Sequence, residues 1–179
     1  MKKIYKRTFV LYLLIMIVLV VVGCLKNTTE VGYKPHQPVS FSHKTHAGTM
    51  KINCKYCHST ADTAAHASLP SSRSCIECHR LFEKDNPKLE LVYNSTETGA
   101  ALAWISVCNL PDFVYFNHSA HIKNGMDCAA CHGKVETMKQ TFLAIEFSMA
   151  WCLECHQPDN GNTETSKVAS SSNCSTCHR

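Results

Sequence analysis

Apolar and polar residues alternate along this chain in two unlike ways. From Phe9 to Val22 the sequence is an unbroken apolar run, whereas from Val31 to Arg179 apolar residues occur in short groups separated by Ser, Thr and Asn. In that longer region neither a sustained 3.6-residue period nor a strict alternation recurs. The pattern predicts short helices set in much irregular backbone, with helix outweighing strand. A chain of 179 residues with so little continuous apolar sequence makes one modest domain whose conventional core would be marginal.

The N-terminal run is an export signal. Lys2, Lys3, Lys6 and Arg7 form a basic region ahead of it, and it ends in Val21-Val22-Gly23-Cys24. A small residue directly before Cys24 resembles a lipoprotein cleavage site, which predicts lipidation at Cys24. The competing expectation is an uncut helix from Phe9 to Leu25, at the short end of the roughly 17–25 residues that span a bilayer. No A-x-A-like site follows, so a fully removed signal fits less well. Both anchored readings put residues beyond 25 on the periplasmic side of a bacterial membrane, with the basic region on the cytoplasmic side. Residues 1–24 are read as signal or anchor, 25–37 as a linker, and 38–179 as the functional domain.

Charge changes the picture little. The formal charge is +4, and the four cations of the N-terminal region account for all of it, because no acid occurs before Glu30. The rest of the chain is balanced and gives no support to a nucleic-acid-binding face.

The cysteines carry the chemistry. Ten of the 12 fall into five copies of one pattern, at Cys54–His58, Cys75–His79, Cys128–His132, Cys152–His156 and Cys174–His178. C-x-x-C-H is the attachment signature of c-type haem. Two thiols three positions apart each add across one vinyl group on a porphyrin edge, and the adjacent imidazole reaches the iron. The thioether residues are then Cys54, Cys57, Cys75, Cys78, Cys128, Cys131, Cys152, Cys155, Cys174 and Cys177; the proximal ligands are His58, His79, His132, His156 and His178. Zinc sites assemble ligands in fours and have no need of His after every second Cys. Five vicinal pairs would staple almost no loops as disulfides, and a thioredoxin-like motif is expected once. Five haems would also act as the missing core, so the haem-free chain is expected to be largely unfolded.

Six of the 11 histidines remain, and four of them form two matching cassettes. Phe41-Ser42-His43-Lys44-Thr45-His46 precedes Cys54, and Phe116-Asn117-His118-Ser119-Ala120-His121 precedes Cys128, each with the form F-x-H-x-x-H. Residues three apart on a helical turn share a face, so each cassette can serve two closely packed haems. His43, His46, His118 and His121 are therefore read as distal ligands. For the fifth iron His66 is chosen, with Met149 as its rival, since His/Met ligation occurs in c-type cytochromes and raises the potential. Met138 and Cys108 are weaker candidates, and His36 reads as a linker residue. The layout suggests a two-haem half over 38–80, a connection over 81–110, and a three-haem half over 111–179. Residues 81–103, with Pro87 and Gly99, look like a turn-rich surface segment.

From about Pro38 to Arg179 the chain resembles the class III multihaem cytochromes c, and within them the pentahaem subunit of alternative complex III. The resemblance rests on F-S-H-K-x-H-A-G at Phe41 to Gly48, C-x-Y-C-H at Cys54 to His58, and L-P-D-F-V-Y-F-N-H-x-x-H at Leu110 to His121. C-x-x-C-H-G at Cys128 to Gly133 and M-x-W-C-L-x-C-H at Met149 to His156 extend it. It implies a small, mostly irregular haem-wrapped fold that acts as a membrane-anchored wire in a quinol-oxidising respiratory complex. Iron–sulfur and quinol-binding membrane subunits, and a monohaem cytochrome c as acceptor, would be its neighbours. Cys108 departs from that family, where His is expected.

Two other functions compete: a free-standing periplasmic electron carrier, and a multihaem reductase. A reductase needs an iron with an open position. Five His-terminated motifs with at least five distal candidates predict saturated irons and electron transfer without catalysis by this chain.

Overall fold

The computed structural model describes residues 9–18, 30–81, 85–156 and 173–178. Residues 9–18 are helical. Among the described residues no helix is long and apolar enough to cross a membrane. Cys24, the expected lipidation site, and residues 1–8 and 19–25 of the expected signal or anchor lie outside the described residues.

Beyond residue 30 the architecture is a series of short helices. They are α1 (Cys54–Cys57), α2 (Ser72–His79), α3 (Glu90–Thr98), α4 (His118–Lys123), α5 (Cys128–His132), α6 (Met149–His156) and α7 (Cys174–Cys177). A π-helical turn covers Lys44–Thr49, and 3-10 turns cover Pro87–Leu89 and Val135–Thr137. Among the described residues there is no strand; one isolated antiparallel bridge joins Val114 to His178. Helix outweighs strand, as the polarity pattern predicts.

Helices of four or five residues are marginal by themselves. Local capping starts three of them. Asn53 Oδ1 accepts from the Lys55 N–H at 2.9 Å, Asn117 Oδ1 from the Ala120 N–H at 3.2 Å, and Asn173 Oδ1 from the Ser175 N–H at 3.1 Å. Each such cap contributes about 1 kcal/mol, so the remaining stability comes from what the helices pack against.

Protein side chains supply little of that packing. The buried apolar residues among those described are Ala61, Leu89, Val92, Met138 and Leu143. Meanwhile Tyr56, Phe113 and Met149, all in or beside the cysteine motifs and cassettes, are 55%, 56% and 62% exposed. Apolar surface of this kind, gathered around the motifs, is what a large apolar cofactor would cover.

The segment expected to be a turn-rich surface connection contains α3 and the most deeply buried side chain, Val92 at 2% exposure. Ser72 on α2 hydrogen-bonds Ser95 on α3, and Tyr93 Oη donates to the His79 carbonyl at 3.4 Å. Gly99 closes α3 in a left-handed conformation, its N–H returning to the Ser95 carbonyl at 3.0 Å. Pro87 and Gly99 mark the two ends of a short helical unit, one by starting it and one by stopping it.

Residues 32–37, assigned from sequence to a linker, are bonded to distant parts of the chain. The Gly32 N–H donates to the Leu143 carbonyl at 2.7 Å and the Leu143 N–H to the Tyr33 carbonyl at 2.9 Å. Gln37 clamps Ile105 through its amide, donating at 2.7 Å and accepting at 2.9 Å. The first cassette is held in the same way. The Lys44 N–H donates to the Met138 carbonyl at 2.8 Å, and Gly48 faces the Glu136 carbonyl so closely that any Cβ would collide with it.

Candidate haem-binding site

Each cysteine motif lies on a short helix. The motifs beginning at Cys54, Cys128 and Cys174 open α1, α5 and α7, and those beginning at Cys75 and Cys152 end α2 and α6. On a helix, residues i and i+3 share one face, so the two thiols of each motif are turned to the same side; the imidazole follows within the helix in α2, α5 and α6 and at the residue after it in α1 and α7. That is the arrangement needed to hold a porphyrin edge and reach its iron.

The histidines then pair across space. His43 faces His58 with ring centres 6.5 Å apart, His46 faces His79 at 6.0 Å, His118 faces His132 at 6.1 Å, and His121 faces His156 at 5.9 Å. An iron held between two imidazoles would separate their ring centres by about 6.2 Å, from metal–nitrogen bonds of about 2.0 Å and ring centres about 1.1 Å behind each nitrogen. The residues present fit bis-imidazole haem at these four places. The pairing follows one rule in both cassettes. The first His faces the His of the next motif, and the second faces that of the motif after.

The repeated form of the cassettes has a visible role. Phe41 stacks on His46 at 4.4 Å and meets His43 edge-on at 4.8 Å; Phe116 stacks on His121 at 4.6 Å. The outward ring nitrogens are tied down by hydrogen bonds. Nδ1 of His46 lies 2.9 Å from the Ser42 carbonyl, Nδ1 of His58 3.0 Å from that of Ser68, and Nδ1 of His121 2.8 Å from that of Asn117. His43 Nδ1 lies 2.9 Å from Thr141 Oγ1. Bonds at Nδ1 leave Nε2 as the nitrogen for a metal and fix the ring's direction. The carbonyls of Ser42 and Asn117 sit in the helical register four residues back, which the cassette spacing implies; Ser68 and Thr141 carry no local signal.

Electrostatics favours neutral rings. Burial, then the neighbouring His58 and His46, lowers His43 to about 4. Burial also lowers His132, helped by His118 and His58, and lowers His118, helped by His121 and His58. A neutral imidazole carries the lone pair that binds a metal.

The fifth motif is arranged differently. The ring that His178 meets is Phe113, stacked at 5.8 Å, and the Tyr115 N–H donates to the Cys177 carbonyl at 2.7 Å. His66 is exposed in the loop after α1, where its carbonyl accepts from Thr60 Oγ1 at 3.3 Å. Met149 begins α6, one turn before Cys152. Cys108 lies with its Sγ 3.7 Å from His132 Nδ1. It is therefore placed as a partner of a ring. Met138 is buried beneath the first cassette.

Among the described residues no group of three or more His, Cys, Asp or Glu side chains converges as a metal-holding cluster. A zinc site needs such convergence. The observed geometry is instead pairs of imidazoles beside pairs of thiols.

Comparison with known proteins agrees with this chemistry. The sequence matches cytochrome c7 and related cytochrome c over residues 39–96 and 114–179. It is 30% identical over 164 residues to a protein of Nitratidesulfovibrio vulgaris named "Menaquinone reductase, multiheme cytochrome c subunit", covering 80% of this chain and 77% of that one. With its repeated C-x-x-C-H motifs and facing imidazoles, the chain belongs to the family of cytochrome c7 and related cytochrome c, and is a multihaem electron-transfer protein.

Proposed function

We propose that this chain carries five c-type haems and serves as the membrane-anchored haem wire of a quinone-linked respiratory complex on the periplasmic side of a bacterial membrane. The observation that carries the reading is the set of four imidazole pairs at 5.9–6.5 Å, each joining a motif histidine to a cassette histidine. His58, His79, His132, His156 and His178 are the proximal ligands. His43, His46, His118 and His121 are the distal ligands of the first, second, third and fourth sites. For the fifth, His66 and Met149 remain the two candidates. The cofactor supplies reversible one-electron transfer; the chain fixes its ligands, screens it from water and holds neighbouring sites close.

Iron saturated on both faces leaves no position for substrate, so a role in electron transfer is favoured over catalysis by this chain. A path of several haems is longer than one site needs, and it implies different partners at its ends. The resemblance to the pentahaem subunit of alternative complex III favours quinol oxidation, with iron–sulfur and quinol-binding membrane subunits as neighbours and a monohaem cytochrome c as acceptor. The name of the Nitratidesulfovibrio relative favours the opposite direction, with electrons delivered to menaquinone.

Membranes solubilised in mild detergent test the proposal. The protein should purify within a larger assembly whose haems are reduced by added quinol and reoxidised by cytochrome c, or reduced by cytochrome c and reoxidised by menaquinone. Purification as a lone, fully active monomer would establish the free-carrier alternative.

A further inference from the structure

Contacts between the motifs run in an order that differs from their order in the sequence. The first motif has neighbours at both of its ends. Within it, Tyr56 Oη donates to Glu77 Oε2 of the second motif at 3.3 Å. His43 and His46 of a single cassette face the histidines of these same two motifs. The other flank of the second motif is covered by α3, through Ser95 and Tyr93.

The third motif approaches the first. The loop that follows α1 receives α4 directly, with the His118 N–H donating to the Ala65 carbonyl at 2.9 Å and the Ser119 N–H to that of Ala64 at 3.1 Å. His118 faces His132 of the third motif, so this docking sets the third site against the first. His121, one turn further along α4, faces His156 and places the fourth site beside the third. The C-terminal motif joins through the Val114–His178 bridge and the Tyr115–Cys177 bond, on the segment leading into α4.

The cysteines give the same sequence of neighbours. Cys57 lies near Cys78 and Cys128 near Cys54. Cys131 lies near Cys155 and Cys152, and Cys152 near Cys177. The first motif thus turns one thiol toward the second motif and the other toward the third. The third does the same toward the first and fourth.

We infer that the haem sites are ordered second, first, third, fourth, fifth through space, so that the first and third meet at the junction and the second and fifth are the ends of the path. This rests on the proposal that all five motifs carry haem. Each hop oxidises one iron by one electron and reduces its neighbour by one, with no proton required. A one-electron donor is oxidised at one end, and a one-electron acceptor is reduced at the other. Redox partners then dock beside Cys75–His79 and Cys174–His178, and the N-terminal position of the first motif in the sequence does not make it an end.

Proton NMR of the reduced, fully loaded protein reads this order from nuclear Overhauser contacts between haem substituents. His43→Met, His46→Met, His118→Met and His121→Met each move one haem's signals and so assign them. Contacts should join the first haem to both the second and the third, the third to the fourth, and the fourth to the fifth. A contact between second and third without one between first and third overturns the order. If the variants load poorly, iron–iron separations in a crystal structure of the unmodified holoprotein decide it. The first-to-third distance should be shorter than the second-to-third, and the reverse refutes the path. Intact mass of the same sample keeps the two proposals distinct. A mass short of five haems refutes the stoichiometry and the path with it, whereas five haems with a second-to-third contact and no first-to-third contact refute the path alone.

Discussion

His43 Nδ1 and Thr141 Oγ1 lie 2.9 Å apart, joining residues 98 positions distant in the chain. His43 belongs to the first cassette and faces His58 of the first motif, yet the group that fixes its ring comes from the segment before α6. Residues that the motif layout assigns to different parts of the chain therefore meet at one histidine. Replacing Thr141 by Val removes the bond while keeping the shape of the side chain. Loss of a hydrogen bond that holds a metal-binding imidazole weakens metal affinity about 10–100-fold. The first haem should lose its distal ligand more readily than the others, seen as earlier binding of carbon monoxide to one haem in five.

Single replacements of the four cassette histidines test the pairing rule. His43→Ala, His46→Ala, His118→Ala and His121→Ala should each convert one low-spin haem to a high-spin or ligand-accessible one, at the sites of His58, His79, His132 and His156 respectively. Electron paramagnetic resonance of the oxidised protein counts the change. Unchanged spectra in all four would remove the assignment. The same measurement on His66→Ala and Met149→Ala identifies the fifth ligand, with loss of a high-potential haem expected if it is Met149.

Cys108 offers a more selective test. Its sulfur sits 3.7 Å from His132 Nδ1, where the corresponding nitrogens of His46, His58 and His121 meet carbonyl oxygens at 2.8–3.0 Å. A bonded Nδ1–H makes the imidazole a stronger electron donor and favours ferric iron, and a thiol is a weak acceptor. Cys108→Ala should raise the potential of the third haem, and Cys108→Ser should lower it below that of the unmodified protein. Redox titration should show one haem moving and four unmoved; a uniform shift would assign Cys108 a purely structural part.

Gly48→Ala should destabilise the loaded protein by about 1–3 kcal/mol, the usual cost of forcing extra volume into a packed contact. The obstruction is the Glu136 backbone carbonyl, which cannot rotate away as a side chain end would. Denaturant unfolding of the holoprotein measures it, and stability equal to that of the unmodified protein would contradict the close approach.

The N-terminus distinguishes the two anchors. Lipidation at Cys24 should give a mature chain beginning there with a blocked, acylated residue, whereas an uncut helix should leave Met1 or Lys2 at the start. N-terminal mass spectrometry reads the difference directly.

What the sequence by itself determined was everything written in covalent spacing. Cys at i and i+3 followed by His at i+4 places three groups on one helical face whatever the rest of the chain does, so Cys54, Cys57 and His58 and their four counterparts were readable at once. The F-x-H-x-x-H spacing likewise set two imidazoles about one turn apart, while the phenyl ring stacked on them came from the structure. The same reasoning did not reveal α3 within residues 81–103, because Pro87 and Gly99 signal a break without saying that a helix fits between them and buries Val92. Only the tertiary structure decided which cassette histidine faces which motif, and that Thr141 and Cys108 lie behind His43 and His132. It also decided that α4 docks on the loop after the first motif. These are contacts between residues tens of positions apart, and their energies depend on how short helices fit around a shared interior, about which local spacing carries no information.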